Sequence, residues 1–516
     1  MRVEDLLNFY RADRRAQLLK QCWERDASKV ELKGIVGSAP ALLASAILHP
    51  QSEEVADESR DAPSHLFILD DKETAAYFLN DLQQLIGDTH NVLFFPRSAR
   101  VPYQEEVTEN ANIAMRAEVL NEINRHGKGL AIVTFGEAIA ERVISKRELS
   151  EQTFALALGE KYTMDFLDEV FIEYGFSKVD FVYEPGQYAV RGGIVDVFSY
   201  SFDHPYRIEF FGDEVDSIRK FDPITQLSVN KMTRAVVVPN IGDQSLHESV
   251  EPLFNFIPAD TRIWMADAKR TERQLEKAME RAESAFERVS DAVKFTPPEA
   301  LFIGPEKLEN LLEPFHVVEF DGGTSFSDRV VIDWDMLPQP SFNKNFDLIG
   351  ANLRANAKQG YTNVIVAGQA TQLERLYDIF ADREEDVPYH ALPMELTAGF
   401  VDKELRLLVY TDHQLFERYH RFRLKESFRQ NKQALTLKEL MALEPGDFVV
   451  HVDHGIGEFS GLQKVDVGGK EQEAIRLKYK GGDILYVSVH SLHRISKYTG
   501  KEGKSRYLPK SARQLF

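Results

Sequence analysis

The spacing Gly34-Ile-Val-Gly37-Ser-Ala39-Pro40-Ala41 stands where a phosphate-binding loop would stand, just before an apolar helical run. A working loop of this kind needs G-x-x-x-x-G-K-[ST]. Its glycines let backbone amides reach phosphate, its lysine neutralises charge, and its hydroxyl binds Mg²⁺. Aligned on Gly34, the second glycine is Ala39, the lysine is Pro40 and the hydroxyl residue is Ala41. Pro40 also removes an amide donor. A tight strand-to-helix turn that binds no nucleotide is the expectation. His451, Asp453 and His454 have the residue types of a metal site. They lie in a strand followed by a turn, where neighbours point to opposite faces, so no metal is expected. No Ser/His/Asp or Cys/His set assembles, and no catalytic centre is expected.

Two further patterns suit protein contacts. Tyr188-Ala-Val-Arg191-Gly-Gly precedes the apolar run Ile194 to Phe198. An arginine beside a glycine pair can present its planar fork to a partner carboxylate. It can equally pair with a local acid such as Glu184. Ile475-Arg476-Leu477-Lys478-Tyr479 alternates apolar and cationic residues, as a half-buried strand does. At a sheet edge it would add to a partner's sheet; elsewhere Arg476 and Lys478 form a solvated outer face.

The elements that must hold these residues read as a multidomain α/β protein. His65–Leu69, Asn91–Phe95 and Leu130–Thr134 are short apolar runs alternating with helical patterns, the mark of a parallel sheet. Residues 1–148 form the first part of an α/β domain, and 237–325 its second part. Between them, 149–236 is a strand-rich insert. A small α/β domain follows at 326–415, then a basic linker helix at 416–442. Residues 443–500 hold several short strands with Gly-Gly turns, as in a small barrel of the SH3 or Tudor kind. A basic tail fills 501–516.

Length and charge agree with a chain of several tasks. The 516 residues suffice for three or four domains. Net charge is −20, which argues against a general nucleic-acid binder. Yet residues 416–516 hold 19 Lys and Arg against 12 Asp and Glu, so the end is basic and the body acidic. The lone Cys22 excludes an intramolecular disulfide and suits a reducing cytoplasm. No apolar run approaches the ~20 residues that span a bilayer.

The two strand-rich regions carry a resemblance. Tyr188-Ala-Val-Arg-Gly-Gly-Ile-Val-Asp-Val-Phe198, with Tyr206-Arg-Ile-Glu-Phe-Phe-Gly-Asp-Glu-Val-Asp-Ser-Ile-Arg219, resembles the UvrA-binding domain of UvrB. Gly446-Asp-Phe-Val-Val-His-Val-Asp-His-Gly-Ile-Gly457 through Ile495 is similar to the polymerase-interacting domain of CarD-type regulators. Both in this order resemble the N-terminal half of the transcription-repair coupling factors, the Mfd family. The resemblance implies an adaptor that binds RNA polymerase stalled at a lesion, through its β subunit, and recruits UvrA. It implies UvrA contact at Arg191, Tyr188 and Phe198, and polymerase contact at Ile475, Arg476, Leu477 and Lys478.

It also implies a degenerate phosphate loop at Gly34, Gly37, Ala39, Pro40 and Ala41, hence no cofactor in this chain. ATP and Mg belong to the family's DNA-translocating motor, which these residues lack. UvrB's damage-probing hairpin has no room between Phe95 and Thr108. DNA contact is expected mainly through the motor, with a weak contribution from Arg418, Arg421, Arg423, Lys425 and Arg429. A cytoplasmic monomer without membrane contact is expected. The rival readings are a UvrB-like DNA-repair ATPase, which predicts nucleotide binding, and a CarD-like regulator, which predicts no UvrA binding.

Overall fold

A computed structural model describes residues 1–24, 28–48, 62–87, 91–98, 110–200, 204–223, 225–241, 249–288, 296–322, 326–381, 387–418, 440, 443–451, 453–467, 470–479, 482–488 and 494–498. The chain divides into two compact units. One joins Met1–Gln152 to Ile241–Lys425, and the other joins Thr153–Asn240 to Glu426–Phe516.

The first unit is built on a seven-stranded sheet. Its order is Val330–Asp333, Lys29–Lys33, His316–Glu319, Arg262–Met265, His65–Leu69, Leu130–Phe135 and Asn91–Phe94. Every pairing is parallel. His65–Leu69 and Leu130–Phe135 are buried at every position, which is why they read as continuous apolar runs rather than alternating ones. Strands from before and after the strand-rich segment interleave, so that segment interrupts a single sheet. At its centre Trp264 donates its indole N–H to His65 Nδ1 at 2.9 Å, and both rings are buried.

A second sheet in this unit has the order Met336–Pro338, Phe400–Asp402, Leu407–Thr411, Thr362–Val366 and His390–Leu392. Four of its strands run the same way, and Phe400–Asp402 runs antiparallel to them. The helices Phe346–Lys358 and Ala370–Ala381 bury Ile349, Leu353, Leu376 and Phe380 with Ile365 and Leu408. A buried charge cluster ties this sheet to the chain's N-terminal helices. Arg15 donates to Asp13 Oδ2 at 2.6 Å and to Asp402 Oδ2 at 2.7 Å, and lies 4.1 Å over the Trp334 ring. Asp402 is fully buried, and burial pushes its carboxyl upward against the pull of Arg15.

The second unit contains a six-stranded and a five-stranded sheet. The first runs Ser228–Met232, Glu214–Phe221, Tyr206–Phe211, Ile194–Phe198, Gln187–Arg191 and Ser177–Lys178. It is antiparallel apart from its last pair. Helix Met164–Glu173, capped by the Thr163 hydroxyl, buries Leu167 and Phe171 on it. Phe171 meets Tyr188 at 4.9 Å between ring centroids.

The second is a five-stranded antiparallel sheet. Its order is Ile484–Ser488, Lys470–Lys478, Gly455–Val467, Phe448–His451 and Ile495–Lys497. A register shift between Phe459 and Leu462 bends the long strand, as a bulge does. Its core holds Val449, Phe459, Ile475, Leu477, Val487 and Ile495. Among the described residues no helix is long and apolar enough to cross a membrane.

Candidate functional site

One face of the six-stranded sheet carries a charge ladder. Strand alternation places Arg191, Asp196, Arg207, Glu209 and Arg219 on neighbouring positions of that face. Asp196 is wholly buried. It accepts from Arg207 Nε at 2.7 Å and Nη2 at 2.8 Å, and also from Arg191 Nη2. Arg191 further donates to the Asp180 carbonyl at 2.6 Å, and its guanidinium lies 5.1 Å over Phe181. Arg207 lies 4.3 Å over Phe221. Next along the face, Arg219 pairs with Glu209, whose other oxygen accepts from Ser217 Oγ at 2.6 Å.

One buried carboxylate thus fixes two arginine forks. Arg191 keeps its side chain 35% exposed, and Arg207 keeps 17%. The acid that Arg191 meets is Asp196, whereas Glu184 accepts from Gln187 at 2.7 Å. At the tip of the adjoining hairpin Phe211 is 86% exposed, an apolar anchor beside a cationic face. Sequence reasoning missed Arg207 and Phe211. Arg207 is found by its register opposite Asp196, which the local sequence does not encode, and Phe211 by its place just before the turn at Gly212.

Tyr188 and Phe198 require correction as contact residues. Both are fully buried and offer no surface to a partner. Tyr188 donates its hydroxyl to Asp168 at 2.8 Å, and Phe198 packs with Val182, Ala189 and Phe221. Their work is to hold the sheet that presents Arg191.

The five-stranded sheet corrects a second expectation. Ile475 and Leu477 belong to its core, with 1% and 0% exposure. Their strand lies between Gly455–Val467 and Ile484–Ser488, so it has no free edge to add to another sheet. Period-two alternation made inward and outward faces equally legible, but strand order is set by long-range pairing that the local pattern does not encode. Arg476 and Lys478 lie on the opposite, outer face, in register with Tyr486 and Ile484. Ile484 and Tyr486 are each 43% exposed and sit on an edge strand. The outer face is therefore two cations flanked by two apolar side chains.

His451 is buried, and its Nδ1 accepts from the Asp453 amide at 3.1 Å. Burial and then the neighbouring His454 lower its pKa. Among the described residues no group of three His, Cys, Asp or Glu side chains is placed to hold a metal.

The Gly34–Ala41 loop leaves the parallel strand Lys29–Lys33 and enters the buried helix Ala39–Leu48. Gly34 and Gly37 take left-handed φ values of 78° and 61°. Ala39, Pro40 and Ala41 are all buried. The Ser38 amide, the donor nearest the helix start, already bonds the Ala398 carbonyl at 3.0 Å. In the basic segment, Arg418 pairs with Asp412 at 3.1 Å. Arg421, Arg423, Lys425, Arg429 and most of the linker lie outside the described residues, as does the segment 99–109.

The fold defines a multidomain α/β protein, in which one strand-rich module interrupts the first sheet and a second strand-rich module follows later in the chain. Residues 154–241 match the UvrB interaction domain, and 443–499 match the CarD-like/TRCF RID domain. The chain matches the N-terminal half of the transcription-repair-coupling factors. It is 24% identical to that of Bacillus subtilis, over 93% of this chain and 46% of the relative. It is 24% identical to that of Myxococcus xanthus over 83% and 43% of the two chains. With that of Haemophilus influenzae it shares 22% over the same shares of each. The chain spans about half the length of the curated relatives it matches.

Proposed function

We propose that this chain is the adaptor portion of a transcription-repair coupling factor. It binds RNA polymerase stalled at a DNA lesion and recruits UvrA to begin excision repair. The observation that carries the reading is the presence of both interaction modules, in this order, within one chain. A lone CarD-like regulator has no use for the first module. A UvrB-like ATPase would need a phosphate loop with its lysine, where this chain has Pro40. On this reading ATP and Mg²⁺ act outside these residues, the five-stranded sheet is a Tudor-like barrel, and the protein is a cytoplasmic monomer. Contact with DNA falls mainly to the family's motor, with a weak contribution from Arg418, Arg421, Arg423, Lys425 and Arg429.

Arg191, Arg207 and Phe211 form the proposed UvrA surface. The two arginines are held rigid by Asp196, which lowers the entropy lost on pairing with a partner carboxylate. Ile484, Tyr486, Arg476 and Lys478 form the proposed surface for the polymerase β subunit. An open edge strand there supplies backbone donors and acceptors, and Tyr486 supplies an anchor.

This division is testable by titrating polymerase with variants of the chain. Tyr486→Ala weakens binding about tenfold or more, while the melting temperature stays within about 2 °C. Leu477→Arg loses binding and lowers the melting temperature together, because it buries a charge in the core. Full polymerase affinity in Tyr486→Ala, or a Leu477→Arg chain that melts normally, would contradict the assignment.

A further inference from the structure

The turn that resembles a phosphate loop is filled, and what fills it is this chain. We infer that Thr397–Gly399 is a built-in occupant of the Gly34–Ser38 turn, clamping the second α/β sheet onto the first. The Ala398 carbonyl oxygen sits on the Ser38 amide, where an anion's oxygen sits at a helix start. The exchange is reciprocal, since the Ala398 amide donates to Ser38 Oγ at 3.0 Å. Ser38 Oγ in turn donates to Asp81 Oδ2 at 2.6 Å. The other Asp81 oxygen accepts from the Thr397 amide at 2.8 Å and from its hydroxyl at 2.9 Å. Two loops and the helix Lys72–Ile86, from distant parts of the sequence, thus close one buried network on the Asp81 carboxylate.

Backbone contact this close needs glycine at residue 37. A Cβ on Gly37 would stand 2.9 Å from the Gly399 carbonyl and 3.0 Å from that of Ala398. Asp81 is fully buried, and burial pushes its carboxyl up to about 7 despite three donors. The stability it lends the clamp is thus greatest at acid pH and declines as pH rises toward 7. This inference is independent of the adaptor reading: it holds or fails whether or not either partner binds. It gives the 326–415 domain a role, as the piece that takes the ligand's place.

Amide hydrogen exchange on the full chain tests it, with Ser38→Ala, Asp81→Ala and Gly37→Ala. The amides of Ser38, Thr397 and Ala398 should exchange about tenfold or more faster in each variant, through loss of buried hydrogen bonds in the first two and the Cβ clash in the third. The amides of Leu66 and Val364, in the interiors of the two sheets, should stay within about twofold. The Gly399 amide, bonded to Gln414 of its own domain, should stay slower than that of Ala398. Unchanged exchange at Ser38 and Ala398 would overturn the clamp, as would an equal rise at Leu66 and Val364. ATP or inorganic phosphate that altered exchange at Ser38 in the wild type would overturn the claim that the site is already filled.

Discussion

Replacing Arg15 with alanine is expected to destabilise the first unit by about 3–5 kcal/mol, the usual cost of stranding a buried charge. Arg15 is 6% exposed, and its partners Asp13 and Asp402 are 4% and 0% exposed. Its loss leaves two carboxylates facing each other across a dry interior, next to the Trp334 ring. The penalty should depend on pH. Burial already raises Asp402 above the ordinary carboxylate value, and without Arg15 it rises further. A carboxyl raised in the folded state favours folding at low pH and disfavours it as pH increases. The defect should therefore shrink as pH falls from 8 toward 5. Urea denaturation at several pH values reads this directly. A penalty that is flat with pH would mean Asp402 is not the stranded group. Adding Asp402→Asn to Arg15→Ala should recover part of the loss, since the pair is removed together.

The second large effect lies in the insert. Asp196→Ala removes the one carboxylate shared by Arg191 and Arg207. The expected loss is about 2–4 kcal/mol, less than for Arg15 because Arg191 remains partly in water. The functional effect should be larger than the structural one. Two unneutralised guanidiniums repel, the fork of Arg191 is released, and UvrA capture should fall about tenfold or more. Asp196→Asn keeps the shape and one acceptor, so it should fold with a smaller loss yet still weaken capture. Pull-down of UvrA alongside thermal melting separates the two. Normal capture by a folded Asp196→Asn chain would place the UvrA surface elsewhere.

How much of this was legible in the sequence differs by element. The buried parallel strands announced themselves, because a strand covered on both faces needs apolar residues throughout, as His65–Leu69 has. The departure of the Gly34–Ala41 turn from a phosphate loop was legible too, since Pro40 stands where that loop has its lysine. The occupant of that turn was not, because Thr397 lies far along the chain and nothing in its own neighbourhood marks it. The same limit explains the misplaced contact residues. Tyr188, Phe198, Ile475 and Leu477 sit in the most distinctive stretches of sequence, and they are distinctive because they pack cores. The surface residues beside them, Arg207, Phe211, Ile484 and Tyr486, emerge only once strand register and sheet order are known.

The adaptor reading requires both partners to bind one chain together. The direct measurement immobilises RNA polymerase, adds this chain, and asks whether UvrA is retained. UvrA should stay on the polymerase only when the chain is present. Arg191→Glu should release UvrA while the chain itself remains bound, and Tyr486→Ala should lose the chain and UvrA together. Retention of UvrA equal with and without the chain, or undiminished by Arg191→Glu, would contradict the account.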